Sequence, residues 1–343
     1  MGVPSNTVQT FAAVGIKEDV SDIITLTDPT ETPFYSGVSK GTRKSRTPEW
    51  MIDSLADPNP NNKTIEGDDV TNDAGSQPVR NKNVVQLFDK VLGVSSTARA
   101  VETYGREDEL SYQVVKAGKA LKRDIEARIT GNFASVLGAA GTAGECAGAA
   151  AFLTSNVDRG ATGASGGYQT GTGLINAATD GTLRTITETL FKSTIAAAAT
   201  RGGKPDTIMV NAQMKQKVST AFVGIATQYN QLNQKDKNTI VGSADVYKSD
   251  FGLHSIVFNR FIGHGGGSRD NTWTNKARTV QATANRDVLI LDMSTWKIDF
   301  LQAMKTVDLA KTGHSDRKML FCELTLECAD EARNAILADV QTT

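Results

Sequence analysis

Cysteine is scarce in this chain, with three in 343 residues: Cys146, Cys322 and Cys328. So sparse and odd a count argues against a disulfide framework. Histidine is equally rare, and His254, His264 and His314 have no spacing that suits zinc. Aromatic residues make up 6% and hydrophobic residues 39%, which allows a real core but a thin one for the length. No run of 18 apolar residues occurs, so no segment reads as a membrane-spanning helix, and no membrane partner is expected. Neither charge is in excess: 37 basic against 38 acidic residues give a net charge of −1. A chain so balanced has no overall field to draw it onto nucleic acid or an anionic surface. The N-terminus, MGVPSNTVQTFAAV, lacks the basic stretch and apolar block of a signal peptide, and no processing of it is expected.

What is present begins with one long amphipathic helix. Residues 106–137 contain no proline, and apolar residues recur at Leu110, Val114, Ala117, Leu121, Ile125, Ile129, Phe133 and Val136. Spacings of three and four keep one face apolar, predicting a helix roughly 45 Å long. The hundred residues before it are polar and turn-rich. Residues 1–35 read as an irregular arm, and residues 36–104 as a long open hairpin whose tip carries ADPNPNNK and EGDDVTNDAG. Its first limb holds Lys40, Arg43, Lys44 and Arg46, and its tip Glu66, Asp68, Asp69 and Asp73. A solvated surface is the plain reading. The sharper one pairs these opposite charges between neighbouring copies, each exposed pair contributing under about 1 kcal/mol, so that only repetition makes them matter. A long helix fed by an extended arm suits a subunit stabilised by its neighbours.

Residues 138–181 hold eleven glycines and no sustained period, which reads as a flexible insertion or a loop lying on a neighbour. A helix is predicted over 183–201 with Leu183, Ile186, Leu190 and Ile195 on its face, ended by Gly202-Gly203. A strand follows over 207–211. Asn211 caps the next helix, whose face is Met214, Val218 and Phe222. Strands are predicted over 245–248 and 254–260, joined by a turn at SDFG, then over 287–292, 296–301 and 318–328. In the last, Cys322, Leu324, Leu326 and Cys328 share one face, so the thiols are expected to pack as small hydrophobes. The end, CADEARNAILADV, reads as a short helix. The order is mixed, without βαβ regularity, so the fold class is α+β.

Several motifs imitate catalysis. Gly163-Ala164-Ser165-Gly166-Gly167 matches a nucleophile elbow and His264-Gly265-Gly266-Gly267 an oxyanion loop. No apolar strand precedes Ser165, and the histidine loop follows the serine where such esterases place it before. Asp250-Phe251-Gly252 repeats a magnesium-binding triplet of kinases without its companions, and a hairpin turn explains it. Gly171-Thr172-Gly173 lacks the third glycine of a dinucleotide fingerprint. Lys116, Lys119, Lys122, Arg123 and Arg128 could touch phosphate but are interleaved with Asp124 and Glu126, which favours a solvated or subunit-contacting face. No catalytic residue, cofactor or metal is expected, and a serine hydrolase built on Ser165 is the remote alternative.

Arm, charged hairpin, long helix, mixed domain and returning strands, taken in order, resemble the major capsid protein of tailed phages, the Hong Kong 97 phage capsid fold. TDPTETPFYSGV at 27–38, VYKSDFG at 246–252, DVLILD at 287–292 and LAKTGHSDRKMLFCELTLE at 309–327 are similar to stretches of podophage-type head proteins. The resemblance implies an N-terminal arm (1–35), an extended loop (36–104), a spine helix of a peripheral domain (105–137), an insertion (138–182), an axial domain (183–293) and returning peripheral strands (294–343). It implies a structural subunit that assembles with itself as hexamers and pentamers around packaged double-stranded DNA, with which it has only weak, non-specific proximity, as the near-neutral net charge agrees. A portal and decoration or scaffolding proteins would be further partners, and the virion, built in a bacterial host's cytoplasm, its location. An encapsulin-like compartment shares the fold and is the near alternative. Some such shells cross-link lysine to asparagine. Lys63 lies near the tip, but nothing in the sequence singles it out for that bond.

Overall fold

The computed structural model describes residues 30–67, 69, 75, 77–219, 245–262 and 286–341. Residues 1–29 of the expected arm, Asp68 and Asp73 of the loop tip, Phe222 and the His264 loop lie outside them.

The long returning strands organise the body. Trp296–Leu309 and Ser315–Cys328 pair antiparallel, from Trp296 opposite Cys328 to Leu309 opposite Arg317. Ser39–Thr42 joins one edge in parallel, and Gln86–Ser95 the other edge antiparallel. The two limbs of the predicted hairpin pair with each other as strands over Glu49–Ile52 and Val79–Lys82, and the amides of Asn83 and Val85 continue the contact to the carbonyls of Pro48 and Arg46. Around that stem they are strands of the body sheet. Val84, Val85 and Phe88 explain this: they are buried, and an isolated hairpin would have left them in water.

Along Ser315–Cys328, Leu320, Cys322, Leu324, Leu326 and Cys328 alternate onto one face, all at 5% exposure or less. The spine helix lies on that face. It spans Glu109–Thr130, shorter than the 106–137 predicted from periodicity. Asp108 caps its start, its side chain accepting from the amides of Leu110 and Ser111. Leu121, Ile125 and Ile129 are fully buried in the shared core, each contributing about 1.5–3 kcal/mol. The helix stops because the chain returns across its last turn. A Cβ on Gly148 would stand 2.1 Å from the Gly131 carbonyl oxygen and 2.6 Å from that of Arg128, so only glycine lets the strands of chain cross there. The Arg128 guanidinium donates to the carbonyls of Cys146 (2.7 Å) and Ala134 (3.0 Å), fixing the crossing. Phe133 and Val136, the last two members of the apolar stripe, thus lie beyond the helix.

The glycine-rich stretch is not a flexible insertion. Cys146, Ala147, Ala149, Ala151 and Ile175 are 0% exposed and share the core with the spine helix. Small side chains here allow close backbone packing, which a hydrophobicity period does not register. It also supplies Val157–Asp158, an edge strand of the second sheet.

That sheet runs in the order Val246–Ser249, Gly252–Phe258, Thr207–Val210, Arg286–Leu291, Ala335–Gln341 and Val157–Asp158, with Arg184–Thr185 also on Ala335–Gln341. It therefore draws strands from outside the 183–293 block expected to be axial. The end of the chain, expected to be helical, is a turn of 3₁₀ helix (Glu331–Arg333) followed by the strand Ala335–Gln341. Both faces of this strand are covered: Ile336 and Ala338 point to the spine-helix core, and Ala335, Leu337 and Val340 to a second core. A strand buried on both sides shows a continuous apolar run rather than alternation. The second core is closed by the helix Glu188–Thr200, through Phe191, Ile195 and Ala198. It starts at Glu188, later than predicted, because Arg184–Thr185 is taken into the sheet and Thr187 is the cap. Gly202, at φ +81°, ends it as expected.

The three thiols are free and buried. Burial pushes Cys146 up to about 11 and Cys322 up to about 12, and raises Cys328 well above the ordinary range. Alkylation of the folded protein at about pH 8 is therefore expected to add no label, and unfolding to expose all three sites. Intact mass before and after denaturant reads this directly, and rapid native labelling would contradict the packing.

Candidate assembly surfaces

The extended loop is rooted by its own residues. Trp50, on Glu49–Ile52, is buried, and its indole N–H donates to the Cys328 carbonyl at 2.8 Å. Ahead of the stem stands a charged cluster. Arg43 donates from Nε to Asp299 (2.7 Å) and from Nη2 to Glu327 (2.5 Å), while Lys297 Nζ reaches Asp299 at 3.0 Å. Burial raises the carboxyls of this pair. For Asp299 the hydrogen bonds from Glu327, Arg43 and Lys297 outweigh it and hold the group below the ordinary range, whereas Glu327 is raised by burial and by sharing a proton site with Asp299. The cluster fixes where the loop leaves the body.

Beyond the stem, every described residue from 53 to 67 is exposed. Leu55 is 97% exposed and Ile65 77%, with Met51 at 73% on the stem. Three large apolar side chains on one projecting loop are surface that its own subunit does not cover.

The proposed contact residues fare differently. Arg43 is engaged within the subunit. Lys40 holds its ammonium 4.8 Å from the Tyr35 ring centroid. Lys44, Arg46, Glu66 and Asp69 are exposed, the cations before the stem and the acids beyond it. Asp68 and Asp73 lie outside the described residues.

One polar site had no signal in the sequence. Glu126, on the spine helix and 0% exposed, accepts from the amides of Phe34 (2.8 Å) and Tyr35 (2.7 Å) and from Asn259 Nδ2 (2.7 Å). It thereby ties the end of the arm and the chain leaving Gly252–Phe258 to the spine. Burial pushes its carboxyl up to about 7, against the three donors.

The catalytic look-alikes separate. Ser165 is exposed beside the isolated bridge between Ala164 and Thr179. Asp250-Phe251-Gly252 is the tip of the hairpin in which Ser249 faces Gly252. A serine–histidine contact does exist elsewhere: Ser249 Oγ lies 2.6 Å from His254 Nε2, and His254 Nδ1 lies 2.6 Å from the Pro205 carbonyl. The carbonyl can only accept, so Nδ1–H donates to it and Nε2 accepts from the serine hydroxyl. The hydroxyl oxygen also accepts from the Phe251 amide, which makes the pair a lock on the turn. Among the described residues no group of acids, histidines and cysteines is arranged to hold a metal ion, and no helix is long and apolar enough to cross a membrane.

A long helix under a four-stranded sheet, a second sheet whose strand Ala335–Gln341 is covered on both faces, and a projecting loop rooted on the first sheet make the Hong Kong 97 phage capsid fold. The capsid subunit of cyanophage A-1(L) superposes over 98% of this chain and 99% of its own, with a TM-score of 0.63 and 11% identity. The SrpI encapsulin of Synechococcus elongatus PCC 7942 does so over 98% and 97%, with a TM-score of 0.55 and 9% identity. Identities this low speak for the fold alone, which viral shells and encapsulins share. The family is set by sequence: the chain belongs to the SU10 major capsid protein family, whose model matches residues 3–341. It is also 37% identical over 112 residues to the major capsid protein of Escherichia phage Phieco32, a match covering 33% of this chain and 32% of that relative's length.

Proposed function

We propose that this chain is the shell-building subunit of a tailed-phage head, forming hexamers and pentamers around packaged double-stranded DNA. The observation that carries the reading is the extended loop: anchored by Trp50 and Arg43, yet presenting Leu55 and Ile65 almost bare. In a shell those side chains are buried by the next copy, so the lattice contributes stability that the lone subunit lacks. Lys44 and Arg46, which hold no acid among the described residues, are the first-limb cations left to meet a neighbour's acidic tip at Glu66, Asp68, Asp69 and Asp73. Arm, loop, peripheral body and axial sheet would be the working parts. The head would assemble in the host cytoplasm and end in the virion, with a portal and decoration or scaffolding proteins as partners, and with no catalytic step of its own. Membership of a phage capsid family favours this over an encapsulin compartment.

Size distinguishes the possibilities. The purified full chain is expected to form particles of megadalton mass, seen by light scattering and negative-stain microscopy. A single small species under all assembly conditions would overturn the reading.

A further inference from the structure

The spine helix looks charge-neutral in sequence, but folding sorts its charges. Asp124 is paired with Lys90 at 2.5 Å. Glu126 is buried among backbone and amide donors, Glu109 is paired with Arg106, and Arg128 is turned inward onto carbonyls and Glu145. Left on the outer face are Lys116, Lys119 and Lys122, all exposed, and Arg123, partly exposed. Among the described residues none of these four has an acid partner. At 3.6 residues per turn, Lys116, Lys119 and Arg123 fall within about 60° of one another, with Lys122 flanking, and the row advances roughly 10 Å along the axis. Of the interleaving acids that made the segment read as mixed, Glu126 is buried and Asp124, still exposed, is neutralised by Lys90, so the row itself keeps its positive charge.

We propose that this row is a sequence-independent binding surface for the phosphate backbone of duplex nucleic acid. The proposal rests on the shell reading and deepens it: this side of the spine helix faces the packaged DNA. The row is linear, as a polyanion requires. Residues 113–123 include no aromatic side chain to stack on bases, and no carboxylate or amide in the row points to base reading. The whole chain carries a net charge of only −1, so no overall field adds to the pull of the row, and four cations are few enough for a duplex to slide during packing.

The test uses the unassembled full chain, its size checked by light scattering, and a labelled duplex of about 20 base pairs of mixed sequence. Binding is followed by fluorescence anisotropy between about 50 and 200 mM salt. Each neutralised phosphate contributes about −0.9 to the slope of log affinity against log salt, so four predict about −3.6, a loss of roughly a hundredfold over that range. The quadruple variant Lys116→Gln, Lys119→Gln, Lys122→Gln, Arg123→Gln should lose this binding, while Lys116→Arg with Lys119→Arg and Lys122→Arg should keep it. Circular dichroism checks that both remain folded. Wild-type protein without salt-dependent binding, or a folded glutamine variant that binds like wild type, overturns the proposal. So does a glutamine variant that keeps duplex binding but no longer forms particles, which would assign the row to contact with another protein copy. Particle formation by the wild type is read separately, so failure of the shell reading and failure of DNA binding cannot be confused.

Discussion

Replacing Glu126 by alanine should cost the unassembled subunit about 3–5 kcal/mol, read as a lowered urea midpoint. The carboxylate accepts three hydrogen bonds in a site with no exposure, and truncation strands the donors of Phe34, Tyr35 and Asn259. Each buried orphan costs about 1–3 kcal/mol, moderated if water enters the space. The loss would be felt in three places at once, because the donors come from the arm junction and the axial side as well as meeting the spine. Glu126→Gln keeps the volume but turns an N–H₂ toward a donor, and should cost less. Its use is as a reference for pH. Burial raises the folded carboxyl to about 7 from an ordinary value of 4.5. A raised value means the folded state holds the proton more tightly than the unfolded one. The corresponding stability is fully present below about pH 4.5 and is lost as pH rises through about 7. At 1.36 kcal/mol per unit this is about 3 kcal/mol. The difference in stability between wild type and Glu126→Gln should therefore shrink by that order from acid to mildly alkaline pH. A difference that stays flat, or grows, would show that the three donors dominate and the group is ionised throughout.

What the sequence discloses and what it hides follows from how far each signal reaches. The start of the spine helix is visible because its cap, Asp108, is local. So are the Asn211 cap, which accepts from the Met214 amide, and the hairpin turn at Ser249 to Gly252. The end of the spine helix is not visible, because Gly148 and Arg128 stop it through a crossing made by chain some twenty residues later. The terminal strand hides for a related reason: NAILADV is apolar on both faces because two cores cover it, and periodicity cannot separate that from a short helix. The glycine-rich stretch hides because its burial depends on small size. Glu126 is the furthest out of reach. In sequence it sits in KRDIEAR as one charge among several, and its partners Phe34 and Tyr35 are about ninety residues away. Arg43 shows the same limit: its residue type suits an interface, but the acids that hold it within the subunit, Asp299 and Glu327, are distant in sequence. Lys40, exposed, lies over the ring of its near neighbour Tyr35.

Deleting residues 57–75 and closing the gap with a short Gly/Ser turn should abolish particles while leaving a folded subunit. The stem would survive, since Glu49–Ile52 and Val79–Lys82 lie outside the deletion and Trp50 stays bonded to the Cys328 carbonyl. The described part of the deleted segment is exposed throughout, so neither core loses a side chain. Far-ultraviolet circular dichroism and the urea midpoint should stay close to those of the parent. Assembly is another matter. The deletion removes Ile65, 77% exposed in the lone subunit, together with the acidic tip. Burying one such side chain contributes about 1.5–3 kcal/mol, and each exposed ion pair under about 1 kcal/mol. Small terms of this kind decide assembly because every subunit in a closed shell makes the contact, so the loss multiplies with copy number. Leu55→Ser, which leaves the loop in place and removes only the 97% exposed side chain, should weaken assembly in the same direction and raise the concentration at which particles appear. Light scattering against protein concentration reads both variants. Particles of normal size and yield from the deletion would sink the loop's role between subunits, and an unfolded product would place the loop in the subunit's own core.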